Sequence, residues 1–162
     1  MEIAGLQKLT LLDFPGKVAC TVFLSGCNFR CPFCHNAPLL KPTQTLSEDD
    51  LLRFLRTRRG LLDGVAVTGG EPLLSSGLEG LLREIKALGF RTKLDTNGSF
   101  PDRLEALLRE GVVDFVAMDI KNAPKKYADT IGRAEMPEGV RRSAALLMAG
   151  DTPYEFRTTV VD

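Results

Sequence analysis

Three cysteines fall within one short stretch, Cys27-Asn28-Phe29-Arg30-Cys31-Pro32-Phe33-Cys34, in the spacing Cys-x3-Cys-x2-Cys. Thiols so close together are not placed for separate packing duties, and as thiolates they are soft ligands that favour iron–sulfur clusters, zinc or copper(I). Three ligands rather than four is informative, because a cubane [4Fe–4S] cluster held by three cysteines keeps one iron open to a substrate. Other chemistries share parts of the pattern. Cys31-Pro32-Phe33-Cys34-His35 has the form of a covalent haem attachment site, and Cys31 with Cys34 has the form of a redox pair. Haem of that kind is assembled outside the cytosol and asks for an export signal, and a redox pair leaves Cys27 unused. A structural zinc needs a fourth ligand from Cys20 or His35. The first sits inside a strand, and the second adjoins Cys34 too closely for easy tetrahedral geometry.

Three further groups of polar residues each follow an apolar run: Thr68-Gly69-Gly70-Glu71-Pro72, Asp95-Thr96-Asn97-Gly98 and Asp119-Ile120-Lys121. Taken singly they are weak signals. A glycine pair after a strand is often a tight turn, Asn97-Gly98 is a turn dipeptide, Asp95 can cap a turn, and Lys121 reads equally well as a surface charge. As ligand groups they would do more, since glycines let backbone approach a bound molecule and a carboxylate meets an ammonium.

The cysteine spacing with an aromatic residue, Phe33, before the third cysteine resembles the hallmark of the radical S-adenosylmethionine (SAM) enzymes. The resemblance implies that Cys27, Cys31 and Cys34 ligate a [4Fe–4S] cluster, that Gly69, Gly70 and Glu71 hold the amino group of SAM, and that Phe33 lies near its adenine. Leu94 to Gly98 and Met118 to Lys121 resemble a narrower group, the glycyl-radical enzyme activases, which include pyruvate formate-lyase activating enzyme. That likeness implies that Lys121 meets the SAM carboxylate and that Asp95, Thr96 and Asp119 help bind a monovalent cation beside it; Asp95 and Arg157 are read as further candidate cofactor contacts. Narrower still is a likeness to the anaerobic ribonucleoside-triphosphate reductase activating proteins. It is carried by Gly5-Leu6-Gln7-Lys8, Asp13-Phe14-Pro15-Gly16-Lys17, Cys34-His35-Asn36 and Phe156 to Val161. The implied activity is reductive: a one-electron donor such as flavodoxin or ferredoxin reduces the cluster, SAM is split into methionine and a 5′-deoxyadenosyl radical, and the radical takes a hydrogen from a glycine Cα of a partner enzyme, here anaerobic ribonucleotide reductase. A radical SAM enzyme acting on a small molecule, as in deazapurine synthesis, is the alternative, followed by a non-enzymatic iron–sulfur or zinc protein.

The elements that must position these residues alternate. Lys17 to Leu24 is a nearly continuous apolar, β-branched run, as in a strand buried on both faces, and Cys20 within it reads as a small core hydrophobe. The preceding Asp13-Phe14-Pro15-Gly16 turn closes an N-terminal hairpin against it. Ser47 and Asp50 have capping-box spacing and open a helix that ends in arginines before Gly60. Strands then follow at Val65 to Val67, Arg91 to Leu94, Val112 to Met118 and Tyr154 to Val161, with helices between them, and the stretch from Lys121 to Pro137 reads as a charged loop. This alternation predicts an α/β fold, an open, partial TIM-like parallel β/α barrel of about five βα units in a single domain over residues 1–162. Nearly all the chemical residues fall just past strand C-termini, the rim where such barrels build active sites. Longer relatives carry a further βα unit, so the last strand is expected to present an open edge that a second copy, the large partner or a C-terminal segment covers.

Of 162 residues, 44% are apolar and 26% charged, with 21 basic and 21 acidic side chains. The balance lacks the basic excess by which nucleic-acid binders displace counterions, so nucleic acid is not an expected partner. No apolar run approaches membrane-spanning length and the N-terminus lacks a signal-peptide pattern, so a cytoplasmic protein is expected, where cysteines more often bind metal than form disulfides. Only Cys20 remains after the triad, too few thiols for a second cluster.

Overall fold

The computed structural model describes residues 1–41 and 44–160. Strands β1 (Ile3–Thr10), β2 (Ala19–Leu24), β3 (Gly64–Gly69), β4 (Arg91–Thr96), β5 (Phe115–Asp119) and β6 (Tyr154–Arg157) form one sheet in sequence order. β1 runs antiparallel to β2 as the expected hairpin, and β2 to β6 are parallel. The connections carry helices α1 (Glu48–Arg56), α2 (Leu78–Ala87), α3 (Pro101–Glu110), α4 (Pro124–Ile131) and α5 (Glu138–Ala149). β1 and β6 stay at opposite edges, so the sheet curls around an interior without closing. The expected open barrel of five parallel strands is what forms.

Local chemistry accounts for the elements. Ser47 Oγ accepts from the Asp50 N–H at 3.1 Å and donates to Asp50 Oδ2 at 2.6 Å, satisfying an orphan donor of α1, while Leu51, Leu52 and Leu55 face the core. α3 begins on Pro101 and ends on Gly111, which supplies the left-handed residue that stops it. Val65, Ala66 and Val67 of β3 are all buried because helices cover one face of the sheet and the interior of the curl the other. The hairpin turn plugs the N-terminal end of the barrel: Phe14 is buried, its ring lies 6.1 Å from that of Phe115, and a Cβ on Gly64 would stand 2.8 Å from it. Cys20 is buried in β2, where burial pushes its thiol up to about 12, and it packs as a neutral hydrophobe.

Two expectations are corrected. The stretch read as a charged loop contains α4, whose buried residues are Tyr127 and Ile131 alone. Two buried positions in an eight-residue helix are too few to mark it in a charged stretch, although Pro124 at its start and Gly132 in the left-handed region at its end frame it. β6 ends at Arg157 rather than running on: the Ile120 N–H donates to the Arg157 carbonyl at 2.8 Å, and Thr158 then turns its hydroxyl onto the Ile120 carbonyl, also at 2.8 Å. β5 has already ended at Asp119, so no ladder remains to extend, and Val161 lies outside the described residues.

Candidate active site

The loop after β2 carries the three cysteines, and the end of β3 is pressed against its base. The Gly70 N–H donates to the Leu24 carbonyl at 2.9 Å and the Glu71 N–H to the Gly26 carbonyl at 2.8 Å. Gly69 has a φ of 128°, and a Cβ there would sit 2.1 Å from the Leu24 oxygen; one on Gly70 would sit 2.0 Å from the Gly26 oxygen. The glycine pair therefore serves a backbone-to-backbone approach between β3 and the cysteine loop, with both residues also lining the cavity above. Asn36 adds a bond from its amide to the Gly69 carbonyl at 3.2 Å.

That cavity has a volume of about 590 Å³ at the C-terminal rim of the sheet. Cys27, Cys31, Cys34, Phe33, Gly69, Gly70, Asp95, Thr96, Asp119, Lys121 and Arg157 all line it, so the structure gathers every predicted site residue but one. The three thiols are free and half-buried. Burial raises the Cys27 and Cys31 thiols above their ordinary range, which keeps them protonated until a metal displaces the proton.

Glu71, expected to hold the SAM amino group, is the exception, since it does not line the cavity. It is 1% exposed and turned away from the cavity. Its oxygens accept from the Leu73 N–H at 3.0 Å, the Thr96 hydroxyl at 2.8 Å and the Asn97 N–H at 2.6 Å. Burial pushes it up to about 7, although those three donors favour the charged form. Asn97 in turn donates from its amide to Asn28 at 2.9 Å, so Glu71 braces the rim of β4 and, through it, the cysteine loop.

The acidic residues expected to hold a monovalent cation are already paired with basic side chains of the protein. Asp95 faces Lys93 and, at 3.3 Å, Arg157; Asp119 faces Arg157 at 3.2 Å and Lys121 at 2.8 Å. Thr96 spends its hydroxyl proton on Glu71. In this arrangement the positive charge beside both carboxylates comes from the chain itself. Burial disfavours the Arg157 charge, but Asp95 and Asp119 more than offset it and the group is held above its ordinary range. Lys93 is the member that sequence reasoning missed: it is 1% exposed and lies inside the barrel beneath Asp95. Its signal was a lysine two positions before Asp95 in a strand, hence on the same face. Gln7, Asp13 and Thr21 also line the cavity unforeseen, Thr21 donating to Asp13 at 2.5 Å.

The donor set fits an iron–sulfur cluster: three free thiols of one loop line a single cavity. Among the described residues, no three His, Cys, Asp or Glu side chains converge on a point as a single ion would require. The sequence profile of the radical SAM superfamily matches residues 21–161. The chain belongs to the radical SAM superfamily. Within it, protein MJ1227 of Methanocaldococcus jannaschii, provisionally named a glycyl-radical enzyme activating enzyme, is 30% identical over 165 residues, covering 98% of this chain and 68% of the relative. Pyruvate formate-lyase-activating enzyme of Staphylococcus aureus is 32% identical over 134 residues, 75% of this chain and 53% of that enzyme. The chain thus sits in the activating family of radical SAM proteins, and it spans about half the length of the staphylococcal relative. Two solved structures share its fold: Streptococcus suis SuiB bound to precursor peptide SuiA, with TM-score 0.68 at 19% identity over 84% of this chain and 31% of that one, and anSMEcpe with bound AdoMet, with TM-score 0.61 at 20% identity over 82% and 40%.

Proposed function

We propose that this radical SAM protein is an activase that cleaves SAM reductively and installs a glycyl radical on a partner enzyme, anaerobic ribonucleoside-triphosphate reductase. The observation that carries the reading is the meeting, in one cavity, of three free thiols with two bare glycines and the basic groups of Lys121 and Arg157. When bound by Cys27, Cys31 and Cys34, a [4Fe–4S] cluster supplies the single electron that splits SAM and so provides the 5′-deoxyadenosyl radical. The chain does the rest. Gly69 and Gly70 offer the amino group of SAM a wall of backbone, Lys121 gives its carboxylate a charge-assisted donor, and Phe33 offers its adenine an apolar face. Asp119 holds Lys121 in place at 2.8 Å and Arg157 ties Asp119 to Asp95, so the basic groups are oriented before SAM arrives. An extended peptide as hydrogen donor is supported by the shape of the cavity, whose lining reaches from Gln7 on one edge strand to Arg157 and Thr159 at the other.

The test is anaerobic reconstitution followed by incubation with SAM, a flavodoxin- or ferredoxin-type donor and the reductase. About four irons per chain, SAM cleavage, and a glycyl radical signal on the reductase are expected. Turnover of a small molecule with no radical on the reductase would transfer the assignment to a small-molecule radical SAM enzyme.

A further inference from the structure

The cysteine loop is held from outside by two arginines to which the proposed chemistry gives no part. Arg30 donates from Nη1 to the carbonyls of Cys27 at 2.6 Å and Phe29 at 2.7 Å. Arg133, between α4 and α5, donates from Nε to the Asn28 carbonyl at 2.6 Å and again from Nη2. Three successive carbonyls of the loop therefore end on guanidinium groups, which draws them outward and leaves the Phe29 N–H to donate to Cys27 Sγ at 3.4 Å. The position of Arg133 is set by a close fit. The Arg30 N–H donates to the Ile131 carbonyl at 2.8 Å. A Cβ on Gly132, whose φ is 63°, would stand 3.0 Å from both the Cβ and the carbonyl oxygen of Arg30.

We propose that Arg133, with Arg30, is a positioning residue for the metal site: the pair fixes the peptide groups of residues 27–29 and sets two positive charges beside the cluster, which makes the cluster easier to reduce. The inference rests on the cluster reading above. Reduction adds a negative charge to an assembly that thiolates already make anionic, and both a nearby cation and an N–H bonded to sulfur stabilise that added charge.

The test compares anaerobically reconstituted wild type with Arg133→Gln, Arg133→Lys and Arg109→Gln. Each is poised with dithionite-reduced viologens, one electron passing from mediator to cluster, and read by the signal of the reduced cluster. Arg133→Gln should bind the same iron yet show about tenfold less reduced over oxidised cluster at a given poise, equivalent to about 59 mV. Arg133→Lys should recover most of that loss, and Arg109→Gln, an exposed arginine of α3, should leave the ratio unmoved. Equal ratios in wild type and Arg133→Gln, no recovery in Arg133→Lys, or an equal shift in Arg109→Gln would overturn the electrostatic role. Hydrogen exchange in the metal-free protein is the second arm. Amides of residues 29–31 should exchange about tenfold faster in Arg133→Gln with β3 and β4 unchanged, and unchanged loop exchange would overturn the positioning role. Wild-type protein that assembles no cluster would defeat the electrostatic role together with the proposed function, while the exchange arm still decides the loop geometry on its own.

Discussion

Lys121 and Glu71 illustrate how burial and pairing divide the chemical residues of the rim. Lys121 lines the cavity and is paired with Asp119, so its remaining donors face the place proposed for SAM. Losing one charge-assisted contact costs roughly 1.5–3 kcal/mol, so Lys121→Ala should weaken SAM binding about ten- to a hundredfold in equilibrium binding to the loaded protein, with iron content unchanged. Unaltered affinity would make Lys121 a surface charge. Glu71 behaves differently because it is sealed in. Folding raises it from 4.5 to about 7, so between those values the unfolded chain gives up a proton that the folded chain keeps. Stability should therefore fall as pH rises from about 4.5 to about 7 and level off above, a loss of about 3 kcal/mol. Urea denaturation across that window should show the slope in wild type and not in Glu71→Gln. Parallel profiles would mean that the carboxylate is ionised throughout.

Among the connecting elements, glycines of similar appearance have different duties. Gly111 ends α3 at a φ of 72°, and a Cβ there would meet nothing within 4 Å. Gly111→Ala should cost only the left-handed strain, about 1–2 kcal/mol in thermal or urea denaturation, with metal binding retained. Gly70 is not in that region, yet its Cβ would lie 2.0 Å from a main-chain oxygen of the cysteine loop, which cannot swing aside as a side chain can. Gly70→Ala should therefore displace the loop and abolish cluster assembly, measured as iron per chain after reconstitution. A Gly70→Ala protein with full iron content would show that β3 and the loop can separate without harm.

For the molecule as a whole, the core and the proposed metal site are distinct. The buried apolar cluster runs from Ile3 through the strands to Leu147; the three thiols of the loop are only half-buried, and Cys27 and Cys31 pack at its margin. A chain whose folding depended on metal would place its ligands at the centre, as small zinc domains do. Chelating the metal should leave the far-UV circular dichroism of this protein close to that of the loaded form, with a cooperative thermal transition retained. Collapse to an unfolded chain on chelation would show that the cluster is structural. The β6 edge is the weak margin: the strand has four residues, and Tyr154 and Phe156 are exposed on it. Its amides should exchange before those of β3 and β4, which are paired on both sides.

Much of this was written in the order of residues. Apolar runs separated by capped helices specified parallel strands, and polar residues just past those runs specified one rim, because a parallel sheet brings every strand C-terminus to the same end. That Cys27, Cys31 and Cys34 would share one loop was legible because spacing within a loop is a local property. What depended on distance along the chain was not. That Glu71 turns inward to Thr96 and Asn97, that Asp95 and Asp119 are matched by Lys93, Lys121 and Arg157, and that Arg133 reaches Asn28 across 105 positions are decided by which side chains meet once the sheet has curled. Spacing tells which face of its own strand or helix a residue takes. The partner a charge finds across a cavity, and so whether it is free for a ligand or spent on the fold, is set only by tertiary contact.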